Sequence, residues 1–220
     1  MAGTATQEMK MMKTTKKTRI VTAVSLVLAA TLTAPLAAQA QDTPWLMRVR
    51  AVNLDSANKD STGLGLSINN KTIPEIDFSY FFSPQIAMEL VLTYPQSQKI
   101  RSNGAEIGSL KHLPPTLTAQ YHFTGLGALK PYVGAGLNYT RFSSVSFTPA
   151  VVTALHPSLS KNSYGLALQA GLDYELSKNL YLNVDVKKVQ ISTDVSSSGS
   201  KVGTFKVDPL LAGVGIGWRF

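Results

Sequence analysis

Ten ionisable residues sit at alternate positions inside otherwise apolar runs: Arg48, Arg50, Glu75, Asp77, Glu89, Asp173, Glu175, Asp185, Lys187 and Arg219. Such a mixture can do proton-transfer chemistry, or its members can neutralise one another in a buried network. Hydrolytic catalysis would need a nucleophile, a base and an orienting carboxylate in mutual reach. The histidines, His112, His122 and His156, are dispersed, and His156-Pro157-Ser158 has no carboxylate beside it. Ser158 and Lys161 have S-x-x-K spacing but lack the helix and companion motifs that give it meaning. Gly134-x-Gly136 and Gly213-x-Gly215-x-Gly217 lie within extended runs and open no helix, so they are not phosphate cradles. With no cysteine and scattered histidines, metal-ligand spacing is missing too. The residues therefore predict no catalytic, cofactor or metal site, and instead a network of paired charges.

The elements that must position those charges have a period of two. Eight runs alternate apolar and polar residues, over 45–54, 73–82, 85–94, 112–123, 130–142, 163–176, 180–191 and 204–220. In the fourth, HLPPTLTAQYHF, Leu117, Ala119, Tyr121 and Phe123 share one face, and Thr116, Thr118, Gln120 and His122 the other. Links between runs alternate without exception between short (83–84, 125–129, 177–179) and long, polar ones (55–72, 95–113, 143–162, 192–203). That is the pattern of an up-and-down antiparallel barrel with tight turns at one rim and extended loops at the other. Greek-key crossovers in a sandwich would not produce it.

A soluble lipocalin-like barrel also has eight strands, but it points its apolar face inward around a ligand. Three features argue for the inverse. Charges of both signs share the polar face in mid-strand, which suits a paired lumen network. Glycines crowd that same face in the fifth and eighth runs, where a narrow barrel has little inside room. On the apolar face, Trp45, Tyr94, Phe123, Tyr139, Tyr164, Tyr174, Trp218 and Phe220 sit near strand ends, as interfacial girdles do. The fold class expected is all-β, an eight-stranded antiparallel transmembrane barrel. His122 then reads as a hydrogen-bonded lumen residue.

Composition agrees. Charged residues are 15% of the 220, below the roughly 25% of a soluble domain. Lys10, Lys13, Lys16, Lys17 and Arg19 precede an apolar stretch over 20–36, and Ala38-Gln39-Ala40 follows, which predicts a secretory signal peptide over 1–40 and a barrel over 41–220. Thr22, Ser25, Thr31, Thr33 and Pro35 interrupt the stretch and weigh against a membrane anchor. Met11 or Met12 is an alternative start. Without the leader, 16 basic and 12 acidic residues remain of the 21 and 13, and no basic block points to nucleic acid. An exported chain without cysteine must rely on hydrogen-bond closure and packing.

HLPPTLTAQYHF, KPYVGAGLNYTRF, NSYGLALQAGLDY and the ending DPLLAGVGIGWRF together resemble the OmpW family of bacterial outer-membrane proteins, over essentially all of the chain after the leader. The resemblance implies an integral protein of the Gram-negative outer membrane that admits small hydrophobic molecules and releases them sideways through the wall into the bilayer. Partners implied are outer-membrane lipid and lipopolysaccharide, small apolar solutes and the outer-membrane assembly machinery, for which Phe220 resembles the terminal aromatic signal; a monomer is expected. In the family, apolar side chains constrict the lumen, and Val91 fits such a position. Lys187 stands where the family can carry an aromatic, and that departure points to a closing ion pair with Glu175 or Asp185. Glu89 belongs to the same lumen set. Leu64, Leu66, Ile68, Val151, Val152 and Leu155 are expected to form an outer apolar funnel. Pro114 and Pro115 cannot donate ladder hydrogen bonds, which makes them the candidate for a sideways exit. Two alternatives stay open: a structural or surface-interaction barrel with a sealed lumen, and a lipid-modifying enzyme.

Overall fold

Trp45–Asp55 (β1) shows how one strand serves two solvents. Leu46, Arg48, Arg50, Val52 and Leu54 are buried, while Trp45 and Val49 on the opposite face are exposed. The computed structural model describes residues 43–220; the leader expected over 1–40 lies outside them. Seven more strands repeat the alternation: β4 (Lys71–Phe81), β5 (Ile86–Leu92), β8 (Thr116–His122), β9 (Leu129–Phe147), β11 (Asn162–Ser177), β12 (Leu180–Val189) and β15 (Leu210–Arg219). They pair antiparallel in the order β1, β4, β5, β8, β9, β11, β12, β15 and return to β1, so the barrel is closed. Closure removes the sheet edge, a requirement where no water can satisfy free backbone groups.

The apolar faces point outward. Val49, Leu90, Leu137, Leu166, Leu168 and Ile216 are each at least 40% exposed. Aromatics group at the rims. Trp45, Tyr80 and Phe82 form a chain of edge contacts at 5.0 Å beside the short turns, and Tyr139 and Tyr164 meet at 5.1 Å toward the other end. These are the girdles of a membrane barrel. The short turns and both ends of the described chain share one rim, which is the periplasmic one in this architecture.

At the opposite rim the structure departs from the sequence reading. The four long links are largely ordered. β6 (Gln96–Ser102) and β7 (Ala105–Leu113) form a hairpin that continues the sheet beyond the barrel, pairing with the upper half of β9, and β3 (Leu66–Ile68) adds to β6. A second hairpin, β13 (Ser192–Ser197) with β14 (Ser200–Lys206), joins β10 (Pro157–Leu159) and β2 (Lys59–Asp60) in a separate four-stranded sheet. Both hairpins turn on two residues with positive φ, Asn103-Gly104 and Ser198-Gly199, as tight turns compatible with strand twist require. The run expected over 204–220 is also corrected. Residues 204–206 pair with β13, and the barrel strand starts only at Leu210, beyond Pro209. One short helix, α1 (Pro149–Leu155), completes the outer part.

The interior is layered. Leu46, Phe81, Ala87 and Tyr181 form an apolar floor near the periplasmic rim. A belt of charge lies above it, carried on β1 by Arg48 and Arg50. The outer third is an apolar core that includes Val52, Leu54, Ile73, Ile100, Phe142 and Phe205.

Candidate functional site: the charge belt, the outer cavity and the wall beside it

Arg48 and Arg50 reach across the lumen from adjacent inward positions of β1. Arg48 grips Asp173 through two hydrogen bonds at 3.0 and 2.6 Å, and donates to Asp77 at 3.0 Å and Ser79 at 2.9 Å. Arg50 pairs with Asp77, with Glu89 at 2.9 Å, Glu75 at 3.0 Å and Asp185 at 3.4 Å. Lys187 lies 3.2 Å from both Glu75 and Asp185. Three cations thus face five carboxylates contributed by β4, β5, β11 and β12. Neutral groups take up the remaining lone pairs. The Tyr132 hydroxyl donates to Asp185 at 2.8 Å, Gln169 donates to Asp185 at 2.8 Å, Asn183 to Asp173 at 2.8 Å, and Thr118 to Glu89 at 3.2 Å. The belt members are at most 5% exposed, and their side chains span the barrel from wall to wall. An ion network can persist in so dry a place only when each member is paired and hydrogen-bonded.

Of the lumen residues expected from the sequence, Glu89, Asp185 and Lys187 lie in the belt, whereas Glu175 does not. It lies half-buried near the periplasmic rim, 3.4 Å from Lys130. Register explains the correction: Glu175 lies opposite Tyr181, whereas Lys187 lies opposite Gln169. Six residues of strand separate them, about 20 Å at the ordinary rise. The true partner, Glu75, comes from β4. Tyr132, on the strand after the second short link, is a belt member no charge pattern could reveal. His122 is a lumen residue as expected, 3.0 Å from Gln120 and stacked on Tyr132 at 4.9 Å. His156 closes α1 with a left-handed backbone and is exposed.

Small residues make room for the belt. A methyl group on Gly171 would run into the Tyr132 ring, and one on Gly215 into the Val49 carbonyl and Arg50 side chain. Gly171→Ala should displace Tyr132 from Asp185 and Arg50 and destabilise the barrel by about 1–3 kcal/mol. Urea unfolding of the refolded protein in lipid would measure this, and an unchanged midpoint would contradict it.

Above the belt, an apolar vestibule of about 570 Å³, including its open mouth, is lined by side chains such as Leu64, Leu66, Ile68, Val151 and Leu155. Five of the six funnel residues therefore converge there. Val152, on the outer side of α1, is exposed and outside the lining. A second space, about 390 Å³ with the open solvent beside it counted, lies against the belt itself. Glu75 and Lys187 bound it below, Val91 and Leu211 line its sides, and Thr93, Pro114 and Thr116 face it from the wall.

The wall there is not hydrogen-bonded as a ladder. Pairing of β5 with β8 stops at Val91 and Thr116, and pairing of β6 with β7 starts at Gln96 and His112. The residues between include Pro95, Pro114 and Pro115, none of which has an N–H to offer. On the β9 side Tyr139 N–H still donates to Pro115 O at 3.1 Å, and side chains hold the strand ends facing the gap. Asn138 Nδ2 donates to Pro115 O at 3.1 Å, Pro114 O at 3.3 Å and Thr116 Oγ1 at 2.9 Å; Gln96 Nε2 donates to Tyr94 O at 2.9 Å. Thr93 Oγ1 donates to Pro74 O at 2.9 Å. The carbonyls of Pro74, Tyr94, Pro114 and Pro115 at the interruption are thus satisfied from within. Phe220, at the opposite rim, is exposed and tied to β1 by its N–H to Trp45 O at 3.0 Å.

Comparison with known proteins agrees with this geometry. An OmpW family model matches residues 46–220. An uncharacterized outer-membrane protein of Sinorhizobium fredii is 38% identical over 87% of this chain and 89% of its own length. Outer membrane protein W of Vibrio cholerae is 34% identical over 88% of this chain and 96% of its own. The crystal structure of OprG from Pseudomonas aeruginosa superposes with a TM-score of 0.71 at 26% identity, covering 80% of this chain and 95% of that one. With its closed outward-apolar barrel and these relatives, the chain is an integral outer-membrane protein and belongs to the OmpW family.

Proposed function

We propose that the protein passively admits small hydrophobic molecules from outside the cell and releases them sideways into the outer membrane. An apolar solute would collect in the vestibule, pass to the space above the belt, and leave between β5 and β8 at Pro114 and Pro115. One observation carries this reading: the inner space is bounded at once by a charge belt that bars the straight route and by the stretch of wall that lacks a ladder. A solute without charge or hydrogen-bonding groups gains nothing from the belt, whose groups are already paired, and gains by reaching hydrocarbon.

Uptake of naphthalene should be several-fold faster in cells producing the protein than in cells lacking it. Equal rates would overturn the proposal. They would favour the alternative of a structural or surface-interaction barrel, to which the closed belt and the ordered outer hairpins are also suited.

A further inference from the structure

Between the vestibule and the inner space, on the lumen side of the β6–β7 hairpin, lie three buried polar side chains with unused capacity. Gln96, Gln98 and His112 are each no more than 1% exposed. Gln96 Oε1, Gln98 Oε1 and His112 Nδ1 have no hydrogen-bond partner. Buried polar atoms are nearly always paired, so three orphans in one cluster need an account. Their place along the lumen is fixed by register. Gln98 lies opposite Leu110, which lines the vestibule, and Gln96 lies opposite His112. The His112 ring stacks on Phe142, a vestibule residue, at 6.4 Å, while Gln96 donates at 3.3 Å to Thr93, which faces the inner space. The cluster therefore lies among residues of both cavities, buried behind the lining of each.

The capacity left over has a definite chemical form. Gln98 Nε2 is 3.5 Å from His112 Nε2. With the amide donating there, the proton of a neutral ring sits on Nδ1, leaving one free donor beside two free acceptors, Gln98 Oε1 and Gln96 Oε1. Turning the Gln98 amide over exchanges the roles and again leaves both a donor and an acceptor. Burial, with Lys71 nearby, holds His112 down to about 4, so the ring is neutral at ordinary pH. A hydroxyl group both accepts and donates, and so matches this cluster; a bare hydrocarbon cannot.

We infer that Gln96, Gln98 and His112 form a hydrogen-bonding station that selects hydroxyl-bearing apolar molecules, such as phenols, over the parent hydrocarbons. This rests on the uptake reading above and narrows its substrate class. Apolar walls hold the ring system, and the station supplies the only fully buried side-chain polar atoms without a partner among the described residues outside the belt.

The test is equilibrium binding of radiolabelled 2-naphthol and naphthalene to the purified barrel in lipid vesicles, after subtraction of protein-free vesicles. The wild-type barrel should prefer 2-naphthol. His112→Phe with Gln98→Met keeps volume and the stack on Phe142, and should lower 2-naphthol affinity about tenfold, the worth of one to two hydrogen bonds, with naphthalene unchanged. Gln98→Met alone should give a smaller loss in the same direction, and it guards against misfolding of the double variant. The inference is overturned if the wild type shows no preference, if either variant keeps the full preference, or if both ligands weaken equally. A resident water satisfying the three atoms would give the first of these results. Because binding is read on purified protein, absence of protein-dependent naphthalene uptake in cells would overturn the uptake reading separately.

Discussion

Arg50→Leu should cost the folded barrel about 3–5 kcal/mol, the penalty for removing one member of a buried ion network. Arg50 pairs with four of the five belt carboxylates, more than any other belt cation. Without it, Asp77 and Glu89 would face each other in a dry lumen with only Arg48 between them, 3.0 and 3.5 Å away. Two like charges so placed repel strongly at low dielectric, and their hydration shells are already lost. The urea midpoint of the refolded barrel in lipid would report the change. A companion variant separates charge from shape: adding Asp77→Asn and Glu89→Gln to Arg50→Leu removes the orphaned charges and should recover more than half of the loss. The remaining pairs of Arg48 with Asp173, and of Lys187 with Glu75 and Asp185, stay intact. A single variant within about 1 kcal/mol of wild type would show that the belt's stabilising role is misassigned.

Replacing Pro114 and Pro115 together by threonine should reduce naphthalene uptake at least about fivefold, toward the level of cells lacking the protein. Of the two N–H groups returned, the one at 114 faces the stretch of Leu92 and Thr93, while the one at 115 faces β9, where Tyr139 N–H already donates to Pro115 O at 3.1 Å. Each restored ladder bond contributes about 0.5–1.5 kcal/mol. The wall would then be sealed where it is now held by Asn138 and Gln96. Stability should stay level or rise, so a fall in uptake at equal outer-membrane abundance cannot be blamed on misfolding. Unchanged uptake in a correctly folded variant would mean that the solute leaves by another route, and would remove the prolines from the mechanism. The two experiments bear on different parts of the barrel: the first on what the belt contributes to stability, the second on the proposed side exit.

The barrel was legible in the chain because its signals are local and periodic. Alternation places Arg48 and Val49 on opposite faces whatever their partners, and short against long links sets which strands are neighbours. The apolar funnel was legible for a similar reason: Leu64, Leu66, Ile68, Val151 and Leu155 are apolar in stretches otherwise polar. The Asn103-Gly104 dipeptide also carried a hairpin signal, although the polar residues around it read as an irregular loop.

Which side chains meet depends on the register of the folded strands. Lys187 could choose among several carboxylates of the same face, and strand register put Glu75 and Asp185 within 3.2 Å while leaving Glu175 at the far rim with Lys130. Register depends on strand stagger summed around the closed barrel, a quantity no short stretch of chain contains. The same holds for the wall: Pro114 and Pro115 announced missing donors, but that Asn138 would hold their carbonyls depends on two strands lying side by side. Gln96, Gln98 and His112, scattered over 17 positions of a polar link, became a cluster only when a hairpin folded them onto one inner face.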